Sequence, residues 1–323
     1  MESVASAPGK TILFGEHAVV YNQPAIAVAV DKRAVIRIKK SSKGVSTFWS
    51  NDLGFEAELD IPNKNYKLIK GRPGIIRYVL EILNKWHDNY YRDPLDIKLS
   101  LNIPIGSGLG SSAAVTVATL AALFNYHGFP FNKKVLAKEA HKIEKSVQGM
   151  ASPLDTAVST YGGLIYLSRN KEISEFKLDI DSDFVIGFTE KKGNTGAMVK
   201  SVNALKDRNP RIVSSIIETM GQITDEAKDA LLNKDYNKLA DLMNLNQGFL
   251  DAIGVNTFEL SRMIYTARKN GAIGAKITGA GGGGSIIALA PNNALNVVKS
   301  LNVEDKGILA SITHKGALAK VRK

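Results

Sequence analysis

The stretch Gly106–Val115 reads GSGLGSSAAV. Three glycines fall in five positions, two serines follow, and then an apolar run begins. Upstream, Ile97, Leu99, Leu101 and Ile103 alternate with polar residues, the period of a strand, and Pro104 ends it. Downstream, Ala113–Tyr126 carries a wide apolar stripe at helical spacing. A strand–glycine loop–helix unit presents unpaired helix N–H groups and a positive dipole end, and glycines let an anion approach the backbone. These properties suit a phosphate. The loop is not a Walker sequence, because no Gly-Lys-Ser/Thr follows. It is not the dinucleotide fingerprint either, because Ser111 stands where the last glycine belongs. Ser111 and Ser112 are placed to cap the helix, or to give one hydroxyl to a phosphate-bound magnesium ion.

Around this loop the chain alternates strands and helices. Ala25–Val30 and Ala34–Lys40 read as strands, and Gly71–Trp86 and Lys133–Val147 as helices. Strands are expected at Gly163–Leu167 and Phe184–Thr189, then an almost wholly helical stretch from Pro210 to Asn270. A second glycine run, Gly279–Ser285 (GAGGGGS), separates two strand-like segments, and a helix and a last strand at Gly307–Thr313 close the pattern. A plain hairpin turn needs two residues, so so many glycines point to a backbone passing close to a ligand or to the first loop. The composition shifts near Asp181, which divides the chain into a mixed α+β part (residues 1–181) and a helix-rich α+β part (182–323).

The 323 residues contain no cysteine, which excludes disulfides and thiolate chemistry and fits a reducing compartment. There is no apolar run of roughly 18 residues and no basic-then-apolar leader, so the expected location is cytoplasmic. The net charge of +11 is spread along the chain, without basic stripes interleaved with aromatics. That distribution argues against nucleic acid and suits small anionic reactants.

Polar candidates lie in three further places. In Ala7–Ala25 (APGKTILFGEHAVVYNQPA), Lys10 follows a Pro-Gly turn, and Glu16 and His17 follow Gly15. Glu144 sits at the edge of the apolar face of the Lys133–Val147 helix, with Lys142 and Lys145 on either side of it but not at the spacing that faces it across a turn. Asp155 lies in the apolar stretch SPLDTAVSTYGG. Taken singly, Lys10 reads as a surface lysine, Glu144 as a solvated helix residue and Asp155 as a helix cap. His141 reads as a helix-face residue, with no second ligand near it.

Three segments in order, PGKTILFGEHAVVY (Pro8–Tyr21), PIGSGLGSSAA (Pro104–Ala114) and KITGAGGGGS (Lys276–Ser285), resemble the GHMP kinase superfamily. GEHAVVY is most similar to the mevalonate kinase branch, whereas galactokinases carry GEHTDY there. The resemblance implies two α+β domains, the second helix-rich and ferredoxin-like, with the active site in the cleft between them. It implies phosphorylation of mevalonate by ATP with Mg²⁺. Pro104, Gly106, Ser107, Gly108, Leu109, Gly110, Ser111 and Ser112 would wrap the ATP phosphates, and Ser112 and Glu144 would hold magnesium. Asp155 would take the proton of the substrate's primary hydroxyl, with Lys10 beside it. Glu16 and His17 would face mevalonate, Thr195 would lie near the transferred group, and Gly279 and Ala280 would support the substrate end. A homodimer is also implied. GMASPLDT around Asp155 departs from the GNPSGVDN-like flank of animal enzymes and looks like shorter archaeal members. The same resemblance leaves open phosphomevalonate or homoserine kinase activity, a decarboxylase, or a ligand-binding sensor of the same fold.

Overall fold

A computed structural model describes residues 1–72, 74–90, 93–104, 107–149, 152–177, 184–189 and 193–322. The sequence-based domain boundary at Asp181 lies outside the described residues, as does Gly106.

The chain opens with β1 (Glu2–Phe14), a short 3-10 turn (Ala18–Tyr21) and the long β2 (Ala25–Lys40). β3 (Ser46–Ser50), β4 (Phe55–Asp60) and β5 (Asn65–Lys70) precede α1 (Ile76–Tyr90) and β6 (Leu95–Leu101). Next come α2 (Ser111–Tyr126), α3 (Lys133–Gln148), α4 (Pro153–Tyr161), β7 (Leu164–Leu167) and β8 (Ile173–Phe176). Then follow β9 (Phe184–Phe188), α5 (Thr195–Arg208), α6 (Pro210–Leu232), α7 (Tyr236–Ala252) and α8 (Phe258–Lys269). β10 (Gly274–Thr278), β11 (Ser285–Leu289), α9 (Ala294–Leu301), β12 (Lys306–Ala310) and β13 (Leu318–Arg322) complete it.

The two strands read from Ala25–Lys40 are one. β2 pairs with β1 along most of its length, with β7 through Ala25–Val28 and with β6 through Ala34–Lys40. The first sheet is nine-stranded, in the order β13-β1-β2-β6-β3-β4-β5, with β7 on β2 and β8 on β7. α2 covers this sheet against β1 and β2, with α1, α3 and α4 around it. Every residue of α2 from Ala113 to Phe124 is buried, so an apolar surface all round the helix has a partner on every side.

The second sheet is four-stranded, in the order β10-β11-β9-β12, and antiparallel throughout. Numbered along the chain from β9, that order is the split βαββαβ of ferredoxin-like domains. β10 is an edge strand whose outer side is covered by α7. Asn244 bonds the Ile273 carbonyl and the Ala275 N–H, and the Gln247 carbonyl accepts from the Ile277 N–H. Side-chain amides thus occupy main-chain groups that would otherwise be an open template.

β12 ends at Ala310, short of the expected Thr313, and β13 was not legible in the lysine-rich tail. β13 returns to the first sheet beside β1, although the sequence places it far into the second part. Arg33 holds the returning chain through the Lys315 and Gly316 carbonyls. The sheets meet at β1 and β10, where Thr278 Oγ1 donates to the Ile12 carbonyl at 2.9 Å and lies 3.0 Å from Thr11 Oγ1.

Candidate active site

Lys10 reaches the site because β1 carries an irregularity at Pro8 and Gly9. Gly9 is needed there, since a Cβ would stand 2.8 Å from the Leu109 carbonyl oxygen. That close approach lets the Lys10 N–H donate to Leu109 O at 2.9 Å, tying β1 to the glycine loop. The Lys10 side chain then runs across Gly110. A Cβ at Gly110 would meet Lys10 Cγ at 2.8 Å, and its φ of +64° is in the left-handed region.

Within the loop, Ser107 donates to the Pro104 carbonyl at 2.7 Å, and Leu109 is buried. Gly110 is the N-cap of α2 and no side chain caps the helix. The first-turn amides are therefore not consumed by Ser111 or Ser112. The Ser112 hydroxyl instead lies near the Glu144 carboxylate and the Tyr78 hydroxyl and favours the ionised form of each.

Glu144 is 2% exposed, so the solvated-helix reading is overturned. Its carboxyl is pushed up to about 7, first by burial and then by Asp155, against Ser112 and Lys10. Gln148 Nε2 donates to Glu144 Oε1 at 3.3 Å and to the Tyr78 hydroxyl at 2.9 Å. Tyr78 and Gln148 lie in no motif and were not distinguishable in the sequence.

Asp155 is in the first turn of α4, whose N-cap is Ser152, with Ser152 Oγ accepting from the Leu154 N–H. Asp155 is therefore not the cap. Its Oδ1 lies 3.1 Å from Lys10 Nζ. Two carboxylates, a serine hydroxyl and an ammonium from β1, α2, α3 and α4 converge here. The donor set is hard oxygen, and the cost of ionising Glu144 beside Asp155 marks a place where a cation is favourable. Mg²⁺ fits, since it takes one or two carboxylates and keeps its remaining positions for water and phosphate. Among the described residues there is no cluster of three or more His, Cys, Asp or Glu, so an all-protein cage is not what these groups build.

The second glycine run meets the first. Ser285 Oγ donates to Ser107 O at 2.7 Å, and Gly279 and Gly281–Gly284 all have positive φ. Thr195 opens α5 and is exposed; its helix start packs on this run, because a Cβ at Gly193 would stand 2.3 Å from Gly281 O. His17 Nε2 lies 2.8 Å from the Ala280 carbonyl, so Nε2 carries the hydrogen and donates. Burial lowers its pKa, which leaves a neutral ring with Nδ1 as an acceptor.

Glu16 corrects the sequence expectation. It does not face a substrate space. Its side chain has no exposed surface, and its carboxylate is turned onto Lys276 Nζ, with Asn246 Nδ2 at 3.4 Å. A carboxylate buried to this degree requires such partners. Lys276 lies inside the third motif but was not distinguishable there from a strand lysine.

Comparison with known proteins shows the family. The model of the GHMP kinases N terminal domain matches residues 75–163, and that of the GHMP kinases C terminal domain matches residues 227–304. A mevalonate kinase of Methanothermobacter thermautotrophicus is 46% identical over 98% of this chain and 100% of its own. The chain belongs to the GHMP kinases. The mevalonate kinase of Pyrococcus horikoshii is 38% identical over 93% of this chain and 92% of its own. The crystal structure of the Methanococcus jannaschii mevalonate kinase superposes with a TM-score of 0.84 at 29% identity, covering 96% of this chain and 98% of that one. These relatives are archaeal mevalonate kinases, as the GMASPLDT flank suggested. No described helix is long and apolar enough to cross a membrane.

Proposed function

We propose that this kinase transfers the γ-phosphoryl group of ATP to the primary hydroxyl of mevalonate, giving 5-phosphomevalonate for isoprenoid synthesis. The observation that carries the reading is the contact of Lys10 with Asp155 beside the Ser112–Glu144 pair, under the glycine loop. The near-full-length likeness to mevalonate kinases supports the choice of substrate.

Phosphoryl transfer asks a protein mainly for positioning and charge neutralisation. The α2 amides and the loop from Pro104 to Ser112, Gly106 included, hold the ATP phosphates. Ser112 and Glu144 would hold Mg²⁺, which neutralises charge on the phosphate oxygens when bound. Asp155 accepts the proton as the substrate oxygen bonds to the γ-phosphorus and the bond to ADP breaks. Its contact with Lys10 uses one of several lone-pair positions, so capacity remains for the hydroxyl. Lys10 offsets the negative charge gathering on the attacking oxygen. His17, Ala280, Gly279 and Thr195 border the substrate end of the site. The proposal extends to domains spanning residues 1–181 and 182–323, with β13 returning to the first, and to a cytoplasmic homodimer.

A coupled ADP-release assay with mevalonate, phosphomevalonate, galactose and homoserine tests it. Turnover is expected with mevalonate. Turnover only with another of the four would move the chain to a different GHMP activity, and none with any would leave a ligand-binding sensor.

A further inference from the structure

Glu16 sits in an unusual turn. Gly15 has φ of +95°, with no room for a side chain because a Cβ would stand 2.5 Å from the Pro24 carbonyl. His17 has φ of +60° with ψ of −45°, outside the left-handed helical well where positive-φ residues other than glycine are mostly found. The turn leads directly into the 3-10 segment, whose N-cap position His17 occupies without a capping side-chain bond. Backbone of this kind persists only where its surroundings over-determine it.

The surroundings are supplied by the other domain. Lys276, on β10, gives one ammonium hydrogen to Glu16 and another to the Ile277 carbonyl at 2.6 Å. The ring of Phe14, at the end of β1, lies 5.7 Å from the ammonium. Asn246, on α7, directs its amide N–H at the second Glu16 oxygen. Both charged side chains have no solvent-accessible surface. Burial pulls the Lys276 ammonium below its ordinary range, and Glu16 pulls it back.

For stability alone, such a pair is a poor choice. Well-packed apolar residues in its place are often neutral or stabilising. What an apolar pair lacks is direction. Glu16 and His17 are neighbours in one tight turn, so anchoring the Glu16 side chain inward fixes the backbone from which His17 reaches Ala280 of the second glycine run. The same Lys276 lies two residues before the end of β10, from which Gly279 and Ala280 depart.

We infer that Glu16 and Lys276 are positioning residues, whose buried ion pair clamps the first-motif turn to β10 and so aims His17 at the substrate end of the site. The inference rests on the proposed assignment of that end to the phosphoryl acceptor. It does not require either residue to touch the acceptor.

The test is the double variant Glu16→Gln/Lys276→Met, which removes both charges at nearly constant volume. The readouts are thermal melting, KM for mevalonate and for ATP, and the imidazole nitrogen resonances of His17 in the substrate-free protein. A folded double variant is expected to raise the mevalonate KM by at least about tenfold, as misplacement near the reacting atoms does, with the ATP KM little changed. Its His17 resonances should lose the hydrogen-bonded Nε2 signature. Adding His17→Ala to the double variant should cost nothing further, because the pair acts through His17. An unchanged mevalonate KM, an equal rise in both KM values, or a His17→Ala loss that multiplies with that of the double variant would each overturn the inference. If the double variant does not fold, Glu16→Asp keeps both charges and shortens the anchor. It must then raise the mevalonate KM selectively, or the inference fails. If the wild-type protein does not phosphorylate mevalonate, the proposed function falls, while the His17 resonances still decide the clamp.

Discussion

Lys10 Nζ, on β1, lies 3.1 Å from Asp155 Oδ1, in the first turn of α4. Lys10 is almost buried and Asp155 is about one-third exposed, with side-chain exposures of 8% and 30%. The lysine is thus fixed by the protein, while the carboxylate keeps a side open to a reactant. Asp155→Asn keeps the shape and loses the proposed base. Turnover should fall by about 10²–10⁴, the worth of a positioned general base. ATP affinity, read by nucleotide titration, should stay near wild type. Activity close to wild type would remove Asp155 from the proton transfer.

Gly110→Ala addresses the same contact from the loop side. The new Cβ would enter the space of Lys10 Cγ and Cε, and the φ of +64° disfavours alanine. The left-handed backbone alone costs roughly 1–2 kcal/mol. Melting temperature should fall modestly. Turnover should fall more steeply, toward that of Lys10→Met, because the ammonium is displaced from Asp155. A stability loss with unchanged turnover would show that Lys10 tolerates displacement.

Ser112→Ala leaves Gly110 as the N-cap of α2, so the helix should fold. The hydroxyl near Glu144 is lost. The Mg²⁺ concentration for half-maximal activity should rise, and Mn²⁺ binding to the protein–nucleotide complex, followed by electron paramagnetic resonance, should weaken. An unchanged metal titration would reduce Ser112 to a packing role.

Glu144 sets a pH dependence of stability. Its folded-state pKa of about 7 stands above the ordinary 4.5, so the folded chain binds the extra proton between these values. The associated stability is fully present below about 4.5 and is lost as pH rises through about 7. The shift corresponds to something on the order of 3 kcal/mol. Glu144→Gln should therefore stabilise the nucleotide-free protein at pH 8 and change it little at pH 5, by thermal melting. Equal effects at both pH values would contradict the burial and Asp155 repulsion that raise the group.

The periodic parts of the fold were legible before any coordinates. α2, α3, β6 and β7 fall within a few residues of their apolar patterns, because burial on one face or all round imposes a spacing on the sequence. The site was legible as three ordered motifs. Elements whose partners are remote were not. β3–β5 and β8 are short, β4, β5 and β8 are partly exposed, and β13 is a charged tail whose strand character comes from pairing with β1. α4 was legible only as a helix that Asp155 would cap; it starts earlier, at Pro153, because Ser152 takes the cap.

By itself, the sequence determined the chemistry available: a glycine loop followed by two serines, a lysine, two carboxylates, and no thiol. It could not decide which groups face each other, since electrostatics depends on distance in space and not along the chain. Only the tertiary structure placed Lys10 against Asp155 and Ser112 against Glu144. It alone turned Glu16 inward onto Lys276, because a carboxylate with no access to water must find its counter-charge in whichever element folding brings beside it.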